Sequence, residues 1–261
     1  MSILERRDVN AVCYLTLNRP EALNALSDGL LAALADSLDD LAQDRTIRCV
    51  VLAGAGKAFC AGHDLREMQA GRHADDGGAA YFGDLFTRCS SVMAQIQAPP
   101  QPVIAQVHGI ATAAGCQLVA TCDMAVAAEE TKFGVNGVNI GLFCSTPMVA
   151  LSRNIGRKKA FEMLTTGQFI NAARACELGL LNKVVAPADL AQTSADLANL
   201  VASKLGSAVA IGKRGYYEQA ELPVAQAYAH TRDIMVTNML NKDTDEGITA
   251  FIEKRTPTWD Q

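Results

Sequence analysis

Clustered positive charge is missing from this sequence. Its 23 Lys and Arg residues are outnumbered by 28 Asp and Glu residues, which leaves a net charge of −5 and a pI near 5.4. The basic residues are scattered along the chain. Because nucleic acids and anionic lipids attract proteins mainly through concentrated positive charge, we expect neither as a partner.

A long uninterrupted apolar run is also absent. The most apolar stretch covers residues 107–128, consists largely of Ala and Gly, and is broken by His108, Gln117 and Asp123. A helix that crosses a bilayer needs about 20 predominantly apolar residues in succession. The stretch is therefore predicted to be buried core, and no membrane association is expected.

The N-terminal sequence lacks the composition of a targeting segment. "MSILERRDVNAVCYL" (1–15) contains no apolar signal-peptide region, and Glu5 and Asp8 lie among its basic residues, where a transit peptide would be poor in acid. From this composition we expect a cytoplasmic protein.

Spacings typical of metal and nucleotide sites are missing as well. The eight cysteines form no Cys-x-x-Cys pair, and the four histidines are isolated. Residues 54–57 ("GAGK") lack the spacing of a phosphate loop, and the glycine-rich residues 134–141 do not match the dinucleotide fingerprint. The sequence therefore predicts reduced, buried thiols, no metal site and no permanently bound cofactor.

The residues that are present favour an α/β architecture with a large core. Apolar residues make up 49% of the 261 positions, and short apolar strands alternate with amphipathic helices. Strands are predicted at 11–18, 47–54, 103–107 and 124–128, and helices from Ser27, as the cap, to about Gln43, at about 79–96, and from about 113.

The strand pattern ends before the last quarter of the chain. From about Pro187 onward the sequence is helical in pattern, and it finishes with the helical stretch 245–255. No flexible linker separates this part from the rest. We expect a C-terminal helical unit that packs against the α/β part.

Two loops of similar design stand out as candidate functional elements. Residues 56–65 ("GKAFCAGHDL") and 108–118 ("HGIATAAGCQL") each follow a buried strand and pass through small residues into a predicted helix. Such turns let backbone amides approach a ligand, and the helix dipole strengthens them as donors to an anion. A pair of converging amides suits acyl-transfer or enolate chemistry, although tight packing alone also explains small residues at a helix start.

Several motifs together resemble the crotonase, or enoyl-CoA hydratase/isomerase, superfamily. The resemblance covers essentially the whole chain, in order and in spacing. It is carried by "RPEALNAL" (19–26), "GKAFCAGHDLREM" (56–68), "PPQPVIAQVHGIATAAGCQLVATCDMAVA" (99–127), "KFGVNGVNIGLF" (132–143), "GLLNKVV" (179–185) and "EGITAFIEKR" (246–255). Within the superfamily, residues 113–123 and 137–147 look most like the enoyl-CoA hydratase domain-containing protein 3 subgroup.

The resemblance implies a fold and an assembly. It implies a crotonase-like ββα spiral core over residues 1–200 and a C-terminal helical region over 201–261 that mediates trimers, which often pair into hexamers. It also implies an acyl-CoA thioester as substrate, so that coenzyme A enters only as part of that substrate.

The same resemblance assigns catalytic positions. The two amides that hold the thioester carbonyl oxygen would be those of His63 and Ala114. The two glutamates of the family's hydratases would align with Gln117 and Gly137. Glutamine cannot exchange a proton and glycine has no side chain, so efficient hydration is not expected.

The resemblance also implies contacts with coenzyme A at eight positions, four of which lie close to His63 in the sequence. They are Ala22 and Leu23 in the first loop, Ala61, Asp64, Leu65 and Arg66 around the second, and Phe251 and Lys254 of the last helix, which would reach the nucleotide of a neighbouring subunit. A surface role for Arg66, a core role for Phe251 and a structural role for Asp64 are the alternatives.

Four polar residues near the vacant glutamate positions are candidate substitutes. Asn136 and Asn139 flank Gly137, while Cys144 and Ser145 lie where some relatives place a nucleophile or an acid. A nucleophilic Cys144 would need a base or a cation to form thiolate, and no such partner is evident in the sequence. A buried structural role for Cys144, and a packed or solvated role for the His63 ring, are the alternatives.

Three functions are therefore consistent with the sequence. The protein could catalyse a reaction that needs only enolate stabilisation, such as decarboxylation of a malonyl-type thioester, or cleave the thioester. It could be a weak hydratase or isomerase that uses Gln117, Asn136 or ordered water. It could also bind acyl-CoA without turning it over.

Overall fold

A six-stranded sheet lies at the centre of the computed structural model, which describes residues 2–260. In chain order the strands are β1 (Leu4–Val9), β2 (Val12–Leu17), β3 (Cys49–Gly54), β4 (Val103–Val107), β5 (Ile110–Thr112), β6 (Met124–Ala128), β7 (Lys132–Gly134), β8 (Ile170–Asn171) and β9 (Lys183–Val185). The large sheet has the order β1-β2-β3-β4-β6-β9, and the small one the order β5-β7-β8.

Helices connect and cover these strands. They are α1 (Asp28–Gln43), α2 (Leu65–Gly71), α3 (Ala79–Gln97), α4 (Ala114–Thr121), α5 (Pro147–Asn154), α6 (Arg157–Thr166), α7 (Ala172–Glu177), α8 (Leu190–Ala202), α9 (Gly206–Ala220), α10 (Val224–Met239) and α11 (Lys242–Glu253). Short 3-10 turns lie at Pro20–Ala22, Asn136–Ile140 and Pro187–Asp189.

Parallel pairing explains why the central strands are almost wholly apolar. Apart from the β1–β2 hairpin, every pair in the large sheet is parallel, and such strands are covered on both faces. One face packs against a small cluster that includes Leu190 and Ala198 of α8, and the other against the main core, which includes Leu34 of α1 and Val92 of α3. The strands therefore hold their carboxyl ends, and the loops that follow, in fixed positions.

Most of the predicted elements are confirmed, with small shifts at their ends. Ser27 caps α1 by accepting a hydrogen bond from the Leu30 amide at 3.1 Å. The strand expected from residue 47 begins at Cys49, and the last helix runs over Lys242–Glu253 instead of 245–255. The helical character of the chain beyond Pro187 is confirmed. The division at residue 200 into a core and an oligomerisation region stays a prediction.

The cysteines lie mainly in the core, as expected. Seven of the eight are buried, and Cys176 is partly exposed. Burial raises the pKa of the Cys49, Cys60 and Cys89 thiols to about 12, so these groups stay protonated at neutral pH. No helix within residues 2–260 combines the length and apolar character that a membrane crossing requires.

A largely buried ion pair ties the C-terminal helices to the sheet. The Lys213 ammonium of α9 lies 2.8 Å from the Asp123 carboxylate and also donates to the backbone carbonyls of Ile96 and Gln101 at 2.9 Å. Asp123 accepts further hydrogen bonds from the Val103 amide at 2.6 Å and the Tyr217 hydroxyl at 2.8 Å. This network fixes α9 against the ends of α3, β4 and α4.

We expect Lys213→Met to lower the free energy of unfolding by about 3 kcal/mol, because it leaves the Asp123 charge buried without its cation. The matched control is Lys204→Met, which removes an exposed lysine at the end of α8. Urea unfolding of both variants measures the difference. A loss below about 1 kcal/mol for Lys213→Met would contradict the role given to the ion pair.

Candidate active site

The two candidate loops lie side by side. Cys60 and Ala111 form a parallel bridge, in which the Cys60 amide donates to the Ile110 carbonyl at 3.1 Å and the Thr112 amide donates to the Cys60 carbonyl at 3.0 Å. The bridge holds the residues before His63 against β5 and the turn that begins α4. The predicted convergence of the two loops is therefore realised in the fold.

Two glycines make this close approach possible. A Cβ atom on Gly115 would lie 2.1 Å from the Cys60 carbonyl oxygen, so a larger residue there would push the loops apart. A Cβ on Gly62, whose φ is +94°, would lie 2.9 Å from the Ala113 Cβ and 3.5 Å from the Ala114 amide nitrogen. The Gly62–His63 peptide therefore sits directly against the start of α4.

The backbone orients the His63 and Ala114 amides away from the surrounding structure. Leu26 bridges His63 in parallel, so that the Leu26 amide donates to the Gly62 carbonyl at 2.7 Å and the Asp64 amide donates to the Leu26 carbonyl at 3.2 Å. In this pattern the His63 N–H points to the side opposite Leu26. Within residues 2–260, neither this amide nor that of Ala114 meets hydrogen-bond geometry with any acceptor.

A cavity of about 290 Å³ opens beside these amides. Its lining combines residues of the two loops with residues from three other segments, namely α2, α3 and residues 136–147. The lining residues are Ala61, His63, Leu65, Met68, Phe86, Thr112, Ala113, Ala114, Asn136, Gly137, Ile140, Leu142, Phe143, Cys144, Ser145, Thr146 and Pro147. No Asp, Glu, Lys or Arg belongs to this set, so the described part of the cavity wall carries no permanent charge.

The His63 ring is packed into the cavity wall. It makes an edge-on contact with Phe86, with ring centroids 5.7 Å apart. Neither ring nitrogen, both of them buried, has a hydrogen-bond partner among the described residues. Burial lowers the pKa of His63, and the positive charge of Arg88 lowers it further. The Leu26 backbone and the Asp28 carboxylate act in the opposite direction, but the net pKa is lowered. The imidazole is therefore neutral at pH 7.

The two positions that were expected to correspond to hydratase glutamates differ in their surroundings. Gln117 lies on α4 with 4% of its surface exposed, its Oε1 has no partner among the described residues, and it does not line the cavity. Gly137 lines the cavity, but a Cβ there would lie 2.3 Å from the Leu142 carbonyl oxygen and 2.9 Å from the Cys144 sulfur. The loop at 142–144 therefore occupies the space that a side chain at position 137 would need.

The four polar substitutes are divided between the cavity and its surroundings. Asn136 lines the cavity, and its Oδ1 accepts a hydrogen bond from the Thr112 hydroxyl at 2.5 Å. Asn139 instead donates to the Gly167 carbonyl at 3.3 Å and does not belong to the lining. Ser145 lines the cavity, and its hydroxyl donates to the Phe143 carbonyl at 3.4 Å.

Cys144 also lines the cavity, with 6% of its surface exposed. Burial raises the pKa of its thiol, and no charged side chain lowers it. The group is therefore a protonated thiol at neutral pH, which favours the structural role over the nucleophilic one.

Two of the eight residues expected to contact coenzyme A, Ala61 and Leu65, line the cavity. The Ala61 amide donates to the Leu23 carbonyl at 3.0 Å, which brings the Ala22–Leu23 loop against the second loop. Leu65 and Arg66 are exposed at the start of α2. Phe251 and Lys254, at the end of α11, do not line the cavity, and Phe251 is 84% exposed.

Asp64 has a structural role in positioning the second loop. Its carboxylate pairs with the Arg19 guanidinium at 2.9 Å and caps α2 by accepting from the Arg66 amide at 3.0 Å. Burial acts to raise the pKa of Asp64, but the Arg19 hydrogen bond and the α2 amides lower it below its usual value. The carboxylate therefore stays ionised and holds the residue next to His63 in place.

Sequence reasoning did not identify several wall residues. Met68, Phe86, Thr112 and the apolar side chains at 140–143 were not among the candidates, although all line the cavity. Only Thr112 carried a usable signal, because it directly precedes the small-residue turn. Phe86 lies on α3 and meets the cavity only through tertiary packing.

We expect Gly137→Ala to lower the free energy of unfolding by about 1–3 kcal/mol, because the added methyl group must displace the 142–144 segment. Gly83→Ala is the control, since a Cβ there meets no atom within 4 Å and lies within α3. Thermal unfolding of both variants measures the effect. Equal stability of Gly137→Ala and the unaltered protein would show that this segment moves freely.

Comparisons with known proteins agree with the fold. The sequence pattern of the enoyl-CoA hydratase/isomerase family matches residues 7–261. The chain is 42% identical to human "Enoyl-CoA hydratase domain-containing protein 3, mitochondrial" over 97% of this chain and 82% of that protein. Its structure matches the human domain-containing protein 3 with a TM-score of 0.94, at 41% identity, covering 99% of this chain and 100% of that one.

A bacterial structure is also similar over the full length. The crystal structure of an enoyl-CoA hydratase from Mycobacterium smegmatis has a TM-score of 0.96 and 52% identity, and the match covers 100% of both chains. These matches confirm the crotonase-like fold expected from the sequence.

The comparisons contradict the expectation of a cytoplasmic protein. The human, rat and frog relatives at 41–42% identity are all named as mitochondrial proteins. The composition of residues 1–15 was therefore not a sound basis for assigning a compartment. Together, the fold, the paired loops and these matches establish that the chain belongs to the enoyl-CoA hydratase/isomerase family.

Proposed function

We propose that this protein binds an acyl-CoA thioester and stabilises the enolate of its acyl group with the backbone amides of His63 and Ala114. The observation that carries the proposal is the juxtaposition of two unengaged N–H groups at one wall of an apolar cavity. Preorganised donors of this kind are worth about 3 kcal/mol each to a transition state in which charge develops on oxygen.

The lining of the cavity argues against efficient hydration. Addition of water to a double bond needs groups that accept and deliver protons, and each such group typically contributes about 10² to 10⁴ in rate. Among residues 2–260 the wall contains no carboxylate, Gln117 is outside it, and Gly137 has no room for a side chain. A reaction that draws mainly on enolate stabilisation suits this site better.

The surface of the C-terminal helices supports an oligomer. Helix α10 has no buried residue, and large apolar side chains of α10 and α11 are exposed, among them Tyr228 at 75%, Met235 at 62%, Leu240 at 82% and Phe251 at 84%. Large apolar side chains exposed in such number on neighbouring helices are typical of a protein interface. We propose that these helices form the contacts of a homotrimer and that Phe251 and Lys254 reach the nucleotide of a neighbouring protomer.

Calorimetric titration with crotonyl-CoA, combined with loss of the enoyl thioester absorbance, tests the proposal. We expect saturable binding and hydration that is slower by at least about 10²-fold than in a relative that keeps both glutamates. Rapid hydration would mean that an acid and a base outside the expected positions serve the reaction. Absence of binding would contradict the proposed function.

A backbone variant tests the amide of Ala114 separately. Ala114→Pro removes that N–H and should weaken crotonyl-CoA binding at least tenfold, whereas Ala114→Gly keeps the N–H and serves as the control. Circular dichroism establishes that both variants are folded. Equal affinities in the two folded variants would exclude Ala114 from the site.

A further inference from the structure

One side-chain amide of the cavity wall has an unused hydrogen-bond donor. Asn136 lines the cavity and is partly buried, and its Oδ1 accepts a hydrogen bond from the Thr112 hydroxyl at 2.5 Å. Within residues 2–260 its Nδ2 has no hydrogen-bond partner, yet this atom is not among the buried polar atoms that lack one. In contrast to the His63 ring nitrogens, the Asn136 Nδ2 is therefore accessible to a ligand.

The contact with Thr112 determines which end of the amide is available. A separation of 2.5 Å suits an O–H···O bond and is shorter than the usual range of N–H···O bonds, so the amide atom at the hydroxyl is the oxygen. The Thr112 hydroxyl also lies 3.2 Å from the Gly134 carbonyl oxygen, which anchors it to β7. With its oxygen engaged in this way, Asn136 offers its NH₂ group as a donor.

The end of the small sheet places this donor beside the proposed oxyanion site. Strands β5 and β7 are parallel, with Thr112 opposite Gly134, and the Ala113 amide donates to the Gly134 carbonyl at 2.9 Å. Ala114 and Asn136 each lie two residues beyond that pair. Because neighbouring strands are about 4.8 Å apart, the two residues leave the sheet side by side.

The remaining wall favours a neutral acceptor as the ligand group. The described lining contains no Lys or Arg, so a carboxylate bound beside Asn136 would be buried without a counter-charge. The hydroxyls of Ser145 and Thr146 also line the cavity, but a hydroxyl both donates and accepts, whereas the Asn136 nitrogen only donates. A keto oxygen is satisfied by such a donor alone. A hydroxyl on the ligand would need a further partner for its own proton.

We infer that Asn136 is a specificity-determining residue that donates a hydrogen bond to a keto oxygen on the third carbon of the acyl group, so that 3-oxoacyl-CoA thioesters are the preferred ligands. The two carbonyl oxygens of such a thioester lie about 3–5 Å apart, given its bond lengths, which matches the spacing of the two neighbouring strand ends. The inference rests on the proposed function, because it requires the thioester carbonyl to lie at the His63 and Ala114 amides.

Calorimetric titration of the full-length protein with acetoacetyl-CoA and with butyryl-CoA tests the inference. The two thioesters differ at the third carbon, where the first carries a keto oxygen and the second two hydrogens. We expect the unaltered protein to bind acetoacetyl-CoA about fivefold more tightly, which is the effect of one neutral hydrogen bond. This ratio of affinities should fall to about one in Asn136→Ala and to one or below in Asn136→Asp.

The two variants remove the donor in different ways. Asn136→Asp keeps an oxygen for the Thr112 hydroxyl and replaces the NH₂ group by an acceptor, so it decides the matter if Asn136→Ala does not fold. Asn139→Asp is the charge-matched control, since Asn139 belongs to the same 3-10 turn and does not line the cavity; it should keep the fivefold preference. Thr112→Val frees the amide to rotate and should reduce the preference to about twofold.

The possible outcomes separate the inference from the proposed function. If neither thioester binds to the unaltered protein, the proposed function fails and the inference with it. If both bind equally, or if the folded Asn136 variants keep the preference, binding stands and Asn136 does not select the acyl group. If 3-hydroxybutyryl-CoA binds as tightly as acetoacetyl-CoA, the assignment of a keto group is wrong. A preference for acetoacetyl-CoA that the Asn136 variants abolish and Asn139→Asp retains supports the inference.

Discussion

The close contact between the His63 loop and the start of α4 is the constraint on which the site depends. It requires Gly62 and Gly115, since a Cβ on either would collide with the opposite loop. It also forces Ala113 into a positive φ of 49°, a conformation that costs a residue other than glycine about 1–3 kcal/mol. The parallel sheet, the Leu26 bridge and the Arg19–Asp64 ion pair together hold the loops against this strain. The two amides are presented to the cavity as a result.

This contact determines which chemical groups face the cavity. Its described wall has two backbone donors and no carboxylate, and the loop at 142–144 closes over Gly137, the position at which the resemblance led us to expect a glutamate in hydratases. The absence of that side chain is therefore built into the backbone of the neighbouring segment. The His63 ring packs edge-on against Phe86, and both of its nitrogens are buried and unpaired among the described residues.

The sequence predicted the elements with a strong local signal and missed those defined by distant contacts. Strands β2, β3, β4 and β6 are apolar runs bounded by turns, and Ser27 is a recognisable helix cap, so these were found. Strands β5, β7 and β8 have two or three residues each and exist through pairing across the small sheet, which no local pattern reveals. The same distinction holds at the site. The small-residue loops were visible in the sequence, whereas the Phe86 contact and the closure over Gly137 depend on tertiary packing.

The family resemblance supplied the positions of the amides, and the geometry supplied reasons for them. In the proposed function these two amides polarise a thioester carbonyl. Isotope-edited infrared spectroscopy of crotonyl-CoA carrying ¹³C at the carbonyl carbon measures this polarisation directly. We expect the carbonyl stretching frequency to fall when the thioester binds to the protein, because hydrogen bonds from His63 and Ala114 weaken the C=O bond. A bound thioester whose frequency equals or exceeds that in water would contradict the proposed role of the two amides.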